Sequence, residues 1–292
     1  MGRGDLTNDE WVRLRPHLPK SGQRGGRWAS HRRVINGILF RQRTGVPWRD
    51  LPARFGKWKT AYERHRRWSA DGTWDTVFAA VLADADAEGR IDWSMVSVDS
   101  TSCRGHQHAA GARKKPPRIP GKRRMPWQHR PDEGLGRSRG GLTCKIHLAG
   151  EGGRRPLALL ITPGQWGDAP QLIPVMERIR VGRPGGGRPR TRPDHLSGDK
   201  AYSSRRNRRY LRRRQTKHTI PEPRNQRANR KRRGSQGGRP AGFDKTIYKR
   251  RNEVERTINA LKGSRAVATR FDKRAYVFYG TVTLAAIRLW LR

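Results

Sequence analysis

Close to residue 90 the spacing of the apolar residues changes, and that change limits what each part of the chain can build. Before it, they recur at helical intervals. Trp74, Val77, Phe78, Val81 and Leu82 form one stripe at i, i+3, i+4, i+7 and i+8, and Val34, Ile35, Ile38 and Leu39 belong to another. Thr7 and Glu10 have the form of a capping box, with Leu6 and Trp11 placed as its hydrophobic staple. Thr60 and Glu63 repeat the pattern ahead of Tyr62 and His65, and Asp71-Gly72 punctuates the turn before the last helix. Residues 1–90 therefore read as an all-helical domain. Its short helices with basic faces fit a helix-turn-helix-like DNA reader, the alternative being a helical packing or dimerisation module.

Beyond that point the period drops to two. Met95-Val96-Ser97-Val98-Asp99 reads as a strand, and Leu142, Cys144, Ile146 and Leu148 alternate with Thr143, Lys145 and His147 as a half-buried one. A turn at Glu151-Gly152-Gly153-Arg154 leads into a buried strand, Leu157 to Ile161. A helix through Leu172, Val175, Met176 and Ile179 follows, then a short strand ending at Asp199, a basic helix from near Ser204, and a strand at Thr219-Ile220. Two helices, at about 245–262 and 273–291, come last. The first three strands can form an antiparallel meander, whereas the later ones need crossover helices and run parallel. Residues 91–292 are thus expected to form a mixed α/β (α+β) domain with a five-stranded mixed sheet in the ribonuclease H-like order.

Charge limits the partner. Lys+Arg number 66 against 24 Asp+Glu, a formal net charge of +42. A compact chain of that charge repels itself unless a polyanion is near, and nucleic acid is the obvious one. A GC-rich genome would explain Arg over Lys, 52 to 14, but not the shortage of acids. Two basic blocks look like insertions. Residues 103–141 hold nine Lys/Arg before the first acid, Asp132, and residues 205–233 hold fourteen Lys/Arg and one acid, Glu222. The second insertion proper is placed at 222–244. Such blocks are usually disordered without a partner; here they flank the candidate strands, which favours phosphate tracking. Two cysteines make no disulfide framework, no secretory signal is visible after Met1, and the apolar run Ala275–Ile287 falls short of the ~20 residues a membrane span needs. These features predict a cytoplasmic, nucleoid-associated protein without a membrane partner.

In so basic a chain the rare acids are informative. Asp99 ends an apolar strand and Asp199 ends Leu196-Ser197-Gly198-Asp199, a strand adjacent to it in the proposed sheet. Two neighbouring carboxylates repel unless a cation neutralises them; either aspartate alone could be a turn former or an ion-pair partner. In the helix after the second insertion, Tyr248, Arg251, Glu255 and Lys262 fall within roughly 60° of one another on the wheel. Ile247, Val254, Ile258 and Leu261 form the adjacent apolar stripe. Glu255 therefore borders the docking face while Glu253 points away; an ordinary amphipathic helix with an Arg251–Glu255 pair is the bland alternative.

These residues resemble the DDE transposases of bacterial insertion sequences, specifically the family-five group within the wider family-four superfamily. The helix matches the Y-x2-R-x3-E-x6-K signature as Tyr248, Arg251, Glu255 and Lys262. Asp99 in Val96-Ser97-Val98-Asp99-Ser100-Thr101 looks like the first catalytic aspartate, and Asp199 in Gly198-Asp199-Lys200-Ala201-Tyr202 like the second. The stretches Gly45-Val46-Pro47-Trp48-Arg49-Asp50-Leu51-Pro52, His106-Gln107-His108-Ala109-Ala110-Gly111, Gly136-Arg137-Ser138-Arg139-Gly140-Gly141-Leu142 and Arg270-Phe271-Asp272-Lys273 are similar too. The resemblance covers nearly the whole chain. It implies Asp99, Asp199 and Glu255 as catalytic residues holding two Mg²⁺ or Mn²⁺ ions, with cleavage and joining of DNA by in-line displacement at phosphorus. It also implies phosphate contacts from Tyr248, Arg251, Lys262, Lys200, Arg137 and Arg139, and a homodimer assembled on the terminal inverted repeats and target DNA.

Three rivals remain at this level. They are a ribonuclease H-like nuclease that cuts without joining, an inactive transposase-derived DNA-binding protein, and an RNA-binding protein, which explains charge but not the three acids. Cys103, His106 and His108 lack a second ligand pair at zinc spacing, so packing or DNA contact is expected of the histidines. Trp166, in a Gly-rich loop before Asp168, is expected to serve the core rather than to stack on an unpaired base.

Overall fold

The computed structural model describes residues 2–20, 28–111, 133–183 and 185–292. Helix α1 (Asn8–Leu14) opens with the expected box: Glu10 N–H donates to Thr7 Oγ1, and Thr7 N–H to Glu10 Oε2. Helix α2 (His31–Thr44) ends on Gly45, whose φ of 74° gives a left-handed cap without a Cβ penalty. Helices α3 (Trp58–Ala70) and α4 (Thr73–Ala87) are joined through Asp71-Gly72. The second capping box is not formed. Helix α3 already begins at Trp58 behind Lys57, extended back by the Trp58–Tyr62 ring pair one turn apart. Helix α4 is buried along Trp74, Val77, Phe78, Val81 and Leu82 and carries no Lys or Arg, so it offers nothing to phosphates.

Strand β1 (Val96–Gly105) is followed by the short helix α5 (Gln107–Ala110), and then by β2 (Gly136–Ser138), β3 (Gly141–Glu151) and β4 (Pro156–Pro163). Helix α6 (Leu172–Glu177), strand β5 (His195–Gly198), helix α7 (Arg205–Arg213), strand β6 (Lys217–Thr219) and helix α8 (Arg224–Arg232) come next. Helices α9 (Lys245–Lys249), α10 (Asn252–Lys262) and α11 (Arg265–Ala268), strand β7 (Thr269–Arg270) and helix α12 (Ala275–Leu291) complete the described chain.

Strands β1, β3 and β4 form the antiparallel meander, with Asp99 opposite Leu148, while β1, β5 and β6 run parallel. The order β4-β3-β1-β5-β6 is the expected ribonuclease H-like sheet. The sheet has seven strands rather than five, because two short ones extend it: β2 folds back on the start of β3, and β7 pairs with Arg104-Gly105 at the end of β1. Helix α10 packs across β1 and β3, and α6 lies against β4.

The basic blocks are more structured than their composition predicts. Residues 103–105 complete β1 and 136–141 make a hairpin; 112–132 lie outside the described residues. Helix α7 is the crossover between β5 and β6, anchored by buried Asn207, Tyr210 and Leu211 with its arginines outward. Helix α8 has no buried residue. The continuous helix expected at 245–262 is split. Around Arg250 and Arg251 the backbone tightens to i→i−3 bonding, with Arg251 N–H on Tyr248 O at 3.0 Å and Val254 N–H on Arg251 O at 3.1 Å. Both guanidiniums are drawn to acids of the sheet region, Arg250 to Asp92 and Arg251 to Asp99.

Helix α12 supplies the core shared by helices and sheet. It packs on α3, α4 and β4, and one apolar cluster runs from Leu6 to Leu291. Trp290, fully buried, donates from Nε1 to Pro156 O at 2.7 Å. Truncating such a side chain costs about 3–5 kcal/mol.

Candidate active site

Asp99 lies midway along β1, and the register pairing Val98 with Gly198 brings Asp199, the next residue after β5, level with it. Asp199 caps the turn that follows, accepting from Ala201 N–H at 2.6 Å. Glu255 arrives from α10, one turn beyond Arg251. Arg251 joins helix to sheet: Nη1 donates to Asp99 Oδ2 at 3.2 Å, and Nη2 is bonded to Glu255 Oε1. Its guanidinium also lies over the Tyr248 ring, 5.8 Å from the centroid. Lys262, at the far end of α10, donates from Nζ to Thr101 Oγ1 at 3.0 Å and to Ser102 O at 3.2 Å. The signature side chains of the helix thus run along β1 from Asp99 toward its C-terminal end.

The electrostatics follow. Burial pushes the Asp99 carboxyl up from its ordinary value, and the charges of Asp199 and Glu255 push the same way. The Ser100 backbone N–H and Arg251 oppose the rise without cancelling it. Like-charge repulsion acting on Asp99 is what two neighbouring carboxylates produce when a cation is short. Arg251 is the cation that offsets it, and Glu255 and Asp99 in turn hold its guanidinium charged.

The carboxylates do not chelate as they stand: among the described residues no three His, Cys, Asp or Glu converge closely enough to hold an ion. Their chemistry nonetheless suits a hard divalent cation, which takes oxygen donors and balances negative charge. The Arg251 guanidinium supplies the positive charge between Asp99 and Glu255.

Behind Asp99 lies a layer that sequence reasoning missed. Ser100, whose N–H donates to Asp99 Oδ1 at 2.8 Å, turns its hydroxyl to Asp168 Oδ1 at 2.9 Å. Lys145 Nζ reaches the same oxygen at 2.9 Å and also the Trp166 carbonyl at 2.9 Å. Tyr202 is buried beside this group, its phenol pushed well up by burial and by the charges of Asp99, Asp168 and Asp199. The available signal was the alternation of β3, which puts Lys145 and His147 on one face of an otherwise apolar strand. Trp166, expected in the core, is instead 39% exposed.

The other expected residues make no contact with the carboxylates among the described hydrogen bonds and ion pairs. Arg137 and Arg139 are exposed on the β2–β3 hairpin, and Lys200 is exposed beside Asp199. Glu253 turns from the site to Arg250 at 3.3 Å but does not point outward as expected: its side chain is 21% exposed with Oε2 buried, against 48% for Glu255, because the break at Arg250–Arg251 resets the helix face. Cys103 faces Cys144 across the β1–β3 register, both buried, while the His106 and His108 rings meet edge to face with centroids 4.4 Å apart. Cys103 therefore serves packing, His106 is half-buried and His108 is exposed.

A ribonuclease H-like sheet with carboxylates on its central strand, after the neighbouring strand and on the covering helix is an arrangement suited to chemistry at phosphodiesters. The comparisons are specific within it. A family model described as "Transposase DDE domain" matches residues 93–288, and one described as "Putative transposase of IS4/5 family" matches residues 6–78. The chain belongs to the DDE transposases, enzymes that cleave DNA and transfer its strands with the help of divalent metal ions. A protein of Burkholderia cepacia, "Insertion element IS402 uncharacterized 16.2 kDa protein", is 37% identical over 122 residues, covering 39% of this chain and 80% of that one. Another of Sinorhizobium fredii, "Uncharacterized protein y4sN", is 40% identical over 111 residues, 37% of this chain and 83% of that one. Among solved structures, the piggyBac transposase synaptic complex with hairpin DNA is similar at a TM-score of 0.43 and 11% identity, covering 97% of this chain and 72% of that one. Among the described residues no helix is long and apolar enough to cross a membrane.

Proposed function

We propose that Asp99, Asp199 and Glu255 are the catalytic, metal-binding carboxylates of an insertion-sequence transposase that cuts the element's ends and joins them to target DNA. The observation that supports this most is that Asp99 and Glu255, from a strand and a helix far apart in sequence, share one guanidinium while Asp199 adds its charge to Asp99. Bound here, two Mg²⁺ or Mn²⁺ ions would activate the attacking oxygen and stabilise the leaving one at phosphorus. With the carboxylates occupied by such ions, Arg251 would be free to hold a phosphate of the DNA end, which its planar fork suits. Tyr248 keeps that guanidinium over its ring, and Lys262, Lys200, Arg137 and Arg139 hold the backbone on either side of the scissile bond.

In the same reading residues 1–90 carry end recognition and 91–292 the chemistry. The exposed arginines of α2 and α3 take the role that α4 cannot. The basic segments give sequence-blind affinity, and two copies pair the element's terminal inverted repeats as a homodimer in the bacterial nucleoid.

The test uses the full chain with duplexes carrying the element's ends. Wild type cleaves and joins them with Mg²⁺ or Mn²⁺ and stops when a chelator is added. Asp99→Asn and Asp199→Asn lose at least about a thousandfold in both steps, as removal of transition-state charge stabilisation does, and still bind the duplex. A folded Asp99→Asn variant that cleaves normally overturns the assignment.

A further inference from the structure

Helices α7 and α8 flank one space although their charges oppose it. Six of the nine residues of α7 and five of the nine of α8 are Lys or Arg, and like charges facing each other across a gap repel. Helix α8 buries no residue, so apolar packing does not hold it there. It is stapled along one edge. Ser203 Oγ donates to Gln226 Oε1 at 2.9 Å, Gln226 Nε2 donates to Ser203 O at 2.8 Å, and Arg230 grips Glu222 with two bonds of 3.2 and 3.1 Å. Beside these staples opens a cleft of about 1170 Å³, just above the ~300–1,000 Å³ of ordinary small-ligand sites. Arg208 and Arg212 line it from α7, Lys217 from β6, Arg230 and Arg233 from α8 and its cap, and Arg239 from beyond the turn Gly234–Gly237. Among the described lining residues Glu222 is the lone acid, and Arg230 already neutralises it. The crowding of charge is felt by two half-buried histidines of the lining. Burial lowers the pKa of His218, and Arg208 and Arg212 push the same way against a hydrogen bond to Thr216. Burial also lowers that of His195, helped by His218 and Lys217 and opposed by Asp244.

We propose that this cleft binds a short chain of adjacent phosphates, such as inorganic triphosphate or the tail of a nucleoside triphosphate, between α7, β6 and α8. An anion lying between the two helices removes their repulsion, whereas one on the outer surface leaves it in place. The cations converge from four segments of the chain, so the ligand must carry charge on every side. A duplex offers its phosphates from one side, each with a single charge. A lone phosphate is too small to reach opposite walls of a space this size, while the guanidinium fork matches phosphate oxygens in pairs. Apart from the two imidazoles no aromatic ring lines the cleft among the described residues, so nothing there stacks a base and the phosphates make the contact. None of Asp99, Asp199 and Glu255 lines it, so the site is distinct from the cutting site and does not rest on the assignment of those carboxylates. Arg227 and Arg232, on the same helix, also lie outside the lining.

The experiment titrates the full chain calorimetrically with inorganic triphosphate in Mg²⁺-free buffer, and with sulfate at the same ionic strength. Wild type binds one triphosphate, at least about tenfold more tightly than sulfate, since each further charge-assisted hydrogen bond contributes about a factor of ten. Arg212 and Arg233 are exposed and line the cleft, so Arg212→Ala with Arg233→Ala weakens triphosphate binding by about tenfold or more. Arg209 and Arg232 are exposed on the same two helices outside the lining. Arg209→Ala with Arg232→Ala removes the same charge and changes the affinity by no more than about twofold, because solvent and salt screen those positions. ATP bound as tightly as triphosphate assigns the cleft to nucleotide tails; affinity that grows with chain length while ATP is refused assigns it to inorganic polyphosphate. Triphosphate bound no more tightly than sulfate, or weakened equally by the two double variants, overturns the proposal. So does a duplex that displaces triphosphate and loses affinity in parallel with it in the Arg212→Ala, Arg233→Ala variant, which would make the cleft a DNA groove.

Discussion

Arg251 donates from Nη1 to Asp99 Oδ2 at 3.2 Å, bridging from the start of α10 to the central strand of the sheet. Through its other nitrogen the same side chain holds Glu255, so one cation balances two carboxylates that belong to different elements. A divalent ion and this guanidinium compete for the same charge. Arg251→Ala is therefore expected to leave Asp99 and Glu255 uncompensated and to bind Mg²⁺ more tightly in the absence of DNA. Melting should show it: Mg²⁺ raises the variant's Tm more than the wild type's, since a ligand binding only the native state stabilises by RT ln(1 + [L]/Kd). Equal Mg²⁺ responses would mean the guanidinium does not guard the site.

Glu255 and Glu253 sit two residues apart on α10 and differ in what they face. Glu255→Gln is expected to remove metal-dependent cleavage, because an amide cannot offset a divalent ion. Glu253 pairs with Arg250 through one oxygen and buries the other without a partner, so Glu253→Gln, which removes charge but keeps the shape, should change stability by no more than about 1 kcal/mol and leave activity near normal. End-cleavage assays on both variants decide; a dead Glu253→Gln beside an active Glu255→Gln would overturn the helix register.

Asp168 touches none of the three carboxylates directly but holds Ser100 and Lys145, and Ser100 N–H holds Asp99. Asp168→Asn keeps the shape and loses the charge that fixes Lys145. A supporting contact of this kind changes activity by about 10–100-fold. The expected signature is a higher Mg²⁺ requirement with an unchanged circular dichroism spectrum; an unchanged Mg²⁺ dependence would make Asp168 merely structural.

Salt should weaken DNA binding steeply, because each neutralised phosphate contributes about −0.9 to the slope of log K against log salt. Helix α8 has no buried residue and ends in Arg230, Lys231 and Arg232. Arg227→Ala with Arg232→Ala should reduce binding to all sequences alike and make the slope shallower by about 1 for each phosphate that is no longer neutralised. Weakening confined to element ends would make α8 a sequence reader instead.

His65 is buried between Thr281 Oγ1 at 3.1 Å and Trp74 Nε1 at 3.2 Å, and burial lowers its pKa from 6.5 to about 4. Between those values the unfolded chain binds a proton that the native imidazole refuses. Stability therefore falls as pH drops from 6.5 toward 4, by up to ~1.4 kcal/mol per pH unit and roughly 3 kcal/mol in all, and His65 adds no slope above 6.5. Asp75, raised by burial to about 6, acts in the opposite sense over part of the window, but equally in wild type and variant. Denaturant titrations should show a shallower acid-side loss for His65→Gln; parallel curves would contradict the assignment.

What could be read beforehand was whatever local periodicity or a short chemical motif encodes. The strand order, the Thr7 box and the crossover helix after Ser204 were legible because apolar spacing fixes which face is buried. The split at Arg250–Arg251 was not. Wheel geometry assumes an unbroken helix, and the tightening comes from side chains pulled by Asp92 and Asp99, neither of them near in sequence. The Asp168–Ser100–Lys145 layer was hidden for the same reason: its members are ordinary polar residues until β1, β3 and the loop after β4 are brought together. The basic blocks misled in a third way. Charge density hides the few anchors, such as Asn207, Tyr210 and Leu211, that let α7 fold as part of the sheet.

The shared packing of α12 sets an order of events during synthesis. Helices α3 and α4 leave the ribosome with Trp68, Trp74 and Phe78 still lacking the surface that covers them, and that surface lies between residues 275 and 291. Until translation has passed those residues, the first helices have no finished interior, and a chain cut short presents an unfinished scaffold to DNA. A chain broken upstream of the last helix is therefore expected to carry Trp68, Trp74 and Phe78 without the α12 surface that covers them in the intact enzyme.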